Sequence, residues 1–169
     1  MCEKKKEGYI MSYEKAKEHL KKYALEERII DFSVSSATVK EAACALSCTE
    51  GEIAKSLSFL VDDKPILIVV AGDAKVDNSK YKQEFHKKAK MIPFDKVEEM
   101  IGHAAGGVCP FGIKNGIDVY LDQSLQKYAV VYPACGNDRS AVKLALKELE
   151  KASCYQKWVD VCKEEMMVK

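Results

Sequence analysis

Residues 12–27 (SYEKAKEHLKKYALEE) repeat apolar Ala16, Leu20, Tyr23 and Ala24 at helical spacing behind a Ser12 cap, so the pattern predicts an amphipathic helix. RIIDF follows as a short strand. Thr38 with Glu41 and Thr49 with Glu52 each have capping-box spacing and predict two short helices, over VKEAACALS and EGEIAKS. SLSFLV alternates and PILIVVAG is continuously apolar. The DDK between them predicts a hairpin whose second strand is buried on both faces. Residues 77–90 read as a polar helix, KMIPF as a short strand, and DKVEEMIG as a helix closed by Gly102. IDVYLD and YAVVYPA are strands, SAVKLAL fits either state, and KELEKASCYQKWVDVCK reads as helical to its end.

Strands and helices are intermixed without a regular βαβ repeat, which predicts one α/β (α+β) domain on a mixed sheet rather than a doubly wound parallel one. The 169 residues suffice for a real core. A net charge of +1 excludes the global basic field of a salt-driven nucleic-acid binder and leaves room for a local patch. Seven cysteines (Cys2, Cys44, Cys48, Cys109, Cys135, Cys154, Cys162) without CxxC spacing indicate free thiols in a reducing cytoplasm. Cys44 and Cys48 read as core packing, and no metal ligand set or cofactor motif stands out. No apolar run is long enough to cross a bilayer, and no signal peptide is visible. The expected organisation is a flexible segment over 1–11, a domain over 12–155 and a helical tail over 156–169.

Five of the nine glycines (Gly102, Gly106, Gly107, Gly112, Gly116) fall within fifteen residues, beside His103, Cys109 and Pro110. The stretch is neither GxGxxG after a strand nor GxxxxGK[ST], so both phosphate-cradle fingerprints are excluded. Its amides suit a carbonyl oxygen or an anion, and its glycines equally suit an ordinary connecting loop. Cys109 with His103 is a second candidate, as nucleophile and base, without a third orienting residue. Lys55 stands where the EIAKS segment runs into a buried strand. Lys75, Lys80, Lys82, Lys87, Lys88 and Lys90 against Asp77 and Glu84 make a basic segment, read as a solvated face or a phosphate-contacting patch.

DFSVSSATVKEAACAL, GEIAKSLSFLVDDKPILIVVAGDAKVD, GGVCPFGIKNGIDVYLDQSL and YPACGN occur in the order seen in the YbaK/ProX-type aminoacyl-tRNA deacylases, which the chain resembles over about residues 28–150. That family is related to the editing insertion of bacterial prolyl-tRNA synthetase. The resemblance implies a mixed, strongly curved, barrel-like sheet surrounded by helices around one central pocket. It implies hydrolysis of the ester joining a wrong amino acid to tRNA, with no cofactor. Misacylated tRNA and an aminoacyl-tRNA synthetase are the implied partners. The family's pocket lysine matches Lys55, its GxxxP loop matches Gly106–Pro110, and the glycine after its late strand matches Gly136. The amides of Gly106, Gly107, Val108 and Cys109 are then expected to stabilise the oxyanion. Ser36, Thr38, His103, Pro110, Phe111 and Gly136 are expected to line the substrate site, and Lys82, Lys87 and Lys88 to contact tRNA. On this reading Gly107→Val lowers turnover more than stability. A non-catalytic module holding an aminoacyl end or a synthetase, and a hydrolase acting through Cys109, are the rival readings.

Overall fold

The hairpin of β2 (Ile53–Val61) and β3 (Lys64–Ala71) organises the molecule, which is described here by a computed structural model covering residues 2–36 and 38–164. Asp62 and Asp63 turn it with φ of +50° and +64°, the pair of positive values a tight two-residue hairpin requires. β3 is buried along nearly its whole length, as its continuous apolar run predicts. It runs parallel to β4 (Asp118–Asp122), which runs parallel to β8 (Lys157–Val159). On the other side β2 runs parallel to β5 (Val130–Pro133), which pairs antiparallel with β7 (Leu144–Ala145). The mixed six-stranded sheet is ordered β7-β5-β2-β3-β4-β8 and curls into a half-barrel. β1 (Ile29–Asp31) and β6 (Ser140–Val142) form a separate antiparallel pair.

The β2–β3 register assigns the two faces. Ala54, Ser56 and Ser58 lie across from Ala71, Val69 and Leu67. This face meets the larger core, built with Leu121, Leu125, Val131, Leu144 and Leu149 and roofed by Ala16 and Leu20 of α1 (Cys2–Lys21) and Val97 and Ile101 of α4 (Val97–Ile101). Lys55, Leu57 and Phe59 lie across from Val70, Ile68 and Ile66, on the face covered by α3 (Asn78–Phe85). There Phe59, Tyr81, Phe85 and Tyr120 form a chain of rings with centroids 4.8–5.1 Å apart.

Several expectations need correction. The first helix runs over Cys2–Lys21 and not 12–27, so residues 2–11 belong to it and Ser12 is interior. Ser12 is buried, and its Oγ donates to the Gly102 carbonyl instead of capping. The helix gives way at a turn where Ala24 takes φ +56°. Thr38 does cap α2 (Val39–Leu46), accepting from the Glu41 amide. Thr49 and Glu52 also form their box, but it closes only a single 3-10 turn, because the apolar strand claims the chain from Ile53. α3 stops at Phe85 rather than running to residue 90, with His86 at φ +58°. α5 (Leu146–Ser153) ends where Cys154 takes φ +52°. Residues 157–159 then join β4 as β8, so the tail is not helical there; residues 165–169 lie outside the described residues. Cys44 is exposed rather than packed in the core.

Candidate active site

β2 pairs with β5 only through Ile53 and Ala54. Further along the same edge, the Leu60 amide donates to the Lys90 carbonyl and the Ile92 amide donates to the Ser58 carbonyl. Between these two attachments no described strand covers residues 55–57. A cavity of about 660 Å³ opens at this gap. Ala54, Ile92 and Val97 make much of its apolar floor, with Ala134 and Ala141 alongside. Ser36, Thr38, Lys55, Gly106 and Val108 line it.

Lys55 is the third residue of β2 and shares the face of Val70, opposite that of Ser56. Because the cavity lies along an open edge, it reaches side chains from both faces of the strand. No hydrogen bond or ion pair with the described residues holds the Lys55 ammonium. Its charge also reaches the Cys162 thiol, on the α3-covered face, and a lysine not held in an ion pair can meet a phosphate or a carboxylate. The hydroxyls of Ser36 and Thr38 are already engaged, the first donating to the Asp138 carbonyl and the second capping α2.

The glycine-rich loop divides in two. The Gly107 amide donates to the Ala104 carbonyl and closes a turn in which Gly106 has φ +94°. Gly106 is exposed to the cavity, and the amides of Gly106 and Val108 make no backbone hydrogen bond within the described residues. Free amides at the wall of a cleft can meet developing negative charge. The Gly107 amide is spent on the turn, and Gly107 itself is buried against the backbone of Gly136 and Asn137.

Gly107, Cys109, His103, Pro110, Phe111 and Gly136 do not line this cavity. Gly136, at φ +82°, backs onto Ser12 of α1. Pro110 faces a second depression beside Lys15, His19 and Lys114. Cys109, Phe111 and His103 are fully buried. His103 Nε2 lies 2.6 Å from the Phe111 carbonyl, which can only accept, so Nε2 carries the proton. The Cys109 thiol is 3.5 Å from that same Nε2–H and finds no base there. Burial pushes the thiol up to about 12 and the imidazole down to about 4, so each stays neutral. The nucleophilic pair is therefore a core contact. A group this deeply buried, facing a protonated nitrogen, has neither a thiolate nor an entry path.

Lys82 and Lys88 are exposed, Lys87 is exposed and 3.1 Å from Asp62, and none of the three lines the cavity. Sequence reasoning missed Ser56, Ser58, Ile92 and Phe94, which do line it. Serines at alternate positions of a mostly apolar strand were the available signal for the first two. The Ser56 hydroxyl is buried without a hydrogen-bond partner.

Residues 34–152 match the model of the aminoacyl-tRNA editing domain. The chain is 46% identical over 155 residues to the uncharacterized protein YwhH of Bacillus subtilis strain 168, covering 91% of this chain and 99% of that one. It is 27% identical over 128 residues to the proline–tRNA ligase of Geobacillus sp. strain WCH70, covering 75% of this chain and 21% of the ligase. A solved structure described as a candidate trans-editing enzyme for prolyl tRNA synthetase superposes with a TM-score of 0.82 at 28% identity, over 90% of this chain and 98% of that one. Among the described residues no helix is long and apolar enough to cross a membrane. With most of its length inside the family model, and a near full-length relative at this identity, the chain belongs to the aminoacyl-tRNA editing domain family.

Proposed function

We propose that the protein hydrolyses the ester of misacylated tRNA in trans, and that the cleft at the open edge of β2 is where it does so. The observation that carries this reading is the joint placement of Lys55 and of the unpaired Gly106 and Val108 amides around one cavity. Lys55 binds the phosphate of the terminal nucleotide and fixes the ester in the cleft. Water attacks the carbonyl carbon, and the carbonyl oxygen becomes an oxyanion facing the two amides, whose effect is about 3–4 kcal/mol per donor in comparable sites. The bond to the ribose oxygen then breaks, that oxygen takes up the proton released by the water, and the free amino acid departs. Cys109 is not the nucleophile, since it is buried as a neutral thiol.

Exposed Lys82 and Lys88 fit phosphate contacts along the acceptor end, where a local patch serves a chain of net charge +1. An aminoacyl-tRNA synthetase is the natural protein partner of such an activity, and the cytoplasm its compartment. Single-turnover deacylation of a panel of misacylated tRNAs tests the proposal. Release of the amino acid from at least one of them, faster than the uncatalysed rate, is the expected result. Saturable binding across the panel with no release would replace the enzyme with a binding module.

A further inference from the structure

The described residues expose three large apolar side chains: Phe94 at 81%, Val34 at 60% and Met91 at 57%. Two of them, Phe94 and Met91, line the cavity at the β2 edge. Val34 stands between Phe32 and Ser36, which line it as well. Isolated exposed apolar residues need no explanation, but here two of the three line one cavity, Phe94 being the more exposed. The core does not lack room for an aromatic ring, since Phe59, Tyr81 and Phe111 are buried in it. Phe94 is also held outward by a firm backbone. It opens a 3-10 turn after Pro93, the Lys96 amide donates to the Pro93 carbonyl, and the turn leads into buried Val97 and Ile101 of α4.

Resting on the deacylase reading above, we propose that Phe94 is the stacking platform for the terminal base of the tRNA, with Met91 beside it. An ester carbonyl that reaches the Gly106 amide brings the base on the same ribose to the mouth of the cavity. There the base is unpaired and presents a flat π face to solvent. An exposed phenyl ring covers such a face, and stacking of this kind tolerates any base identity. Exposed charges of both signs flank the ring in sequence, Lys88 and Lys90 before it and Asp95, Glu98 and Glu99 after it, and only the lysines suit a phosphate. Lys88 and Lys90 are exposed, their ammonium groups have no partner among the described residues, and Lys90 directly precedes Met91. The Lys90 carbonyl and the Ile92 amide pin this segment to β2, so cation and apolar rim are presented together.

The test uses the full chain carrying Phe94→Trp, with the parent as the control for the fluorescence of Trp158. Each is titrated with an unacylated RNA hairpin ending in a single-stranded 3′ overhang, and with the same RNA lacking its terminal base. The expected result is quenching of the introduced indole by the intact RNA. Loss of the base is expected to weaken binding about fivefold or more to the parent and to Phe94→Trp. Phe94→Ala is expected to bind both RNAs equally and weakly. In deacylation, Phe94→Ala is expected to raise KM with little change in the rate at saturation. Equal binding of the two RNAs by the parent overturns the proposal, as does parental affinity of Phe94→Ala for the intact RNA. If Phe94→Ala instead abolishes self-association or synthetase binding and leaves the RNA titrations unchanged, the rim is a protein interface and the proposal fails. A parent that deacylates nothing, yet binds with base dependence, refutes the hydrolase and leaves the platform standing.

Discussion

Gly106 and Gly107 are chain neighbours, yet a Cβ on the first would meet only Asp138 Cβ, at 3.9 Å, whereas a Cβ on the second would fall 2.5 Å from the Asn137 nitrogen. The same division continues outward. Gly106 and Val108 face the cavity with unpaired amides, while Gly107, Cys109 and Phe111 are packed into the protein with His103. One half of the loop is conformationally special and open to a ligand. The other half is special only because two backbone segments approach closely. Glycine content therefore marks both, and only hydrogen-bond accounting tells them apart.

The largest effect expected belongs to the open half. Lys55→Ala should slow single-turnover deacylation by about 10²–10³-fold, because the lost contact positions the ester. Its thermal midpoint should stay close to the parent's, since no salt bridge among the described residues is lost. A rate within a few-fold of the parent would remove Lys55 from the mechanism.

The buried half should reveal itself through pH. His103 is held neutral, with its value lowered from 6.5 to about 4, chiefly by burial. The unfolded chain then binds the extra proton first, so this stabilisation is complete above pH 6.5 and is lost as pH falls from there towards 4. The full loss is roughly 3 kcal/mol. His19 is shifted in the same direction by burial and adds to the slope. Chemical denaturation between pH 7 and 4 should show a shallower decline for His103→Gln than for the parent. Parallel curves would mean that His103 titrates as an exposed histidine does.

The helix caps and the hairpin were legible because their causes are local. Thr38 with Glu41, and the alternation of β2 followed by the apolar run of β3, carry their own signals over a few residues. The end of the chain was not legible. KWV resembles a continuing helix, and only parallel pairing with β4 makes it a strand. The length of α1 was misread because Ser12, a good cap by chemistry, is held inside by Gly102 across the fold. For the site, Lys55 and Gly106, singled out by position and glycine content and then matched by resemblance, fell in one cavity, whereas His103 and Cys109, paired by residue type, fell in the core. Phe94 left no mark in the pattern, since exposure of an aromatic ring depends on the tertiary fold.

Gly107→Val sharpens the comparison directly. The sequence alone predicts lost turnover with retained stability, whereas the close approach to Asn137 now predicts destabilisation by about 1–3 kcal/mol. Equilibrium denaturation decides between them, and an unchanged midpoint would show that the two backbone segments are not in contact. The smallest effect should come from Cys109→Ser. Burial of a hydroxyl near the Phe111 carbonyl should cost about 1 kcal/mol or less of stability, with the deacylation rate changed less than twofold. An abolished rate together with a trapped acyl-enzyme would restore the cysteine nucleophile.

The most direct measurement is a crystal structure with a 3′-aminoacyl-adenosine analogue whose ester is replaced by an amide. The account predicts the analogue in the cleft at the open edge of β2, with its carbonyl oxygen roughly 3 Å from the Gly106 or Val108 amide. Its ribose should lie on the side of Lys55. An analogue seated instead in the depression between α1 and the 110–117 segment, beside Lys15 and His19, would contradict it.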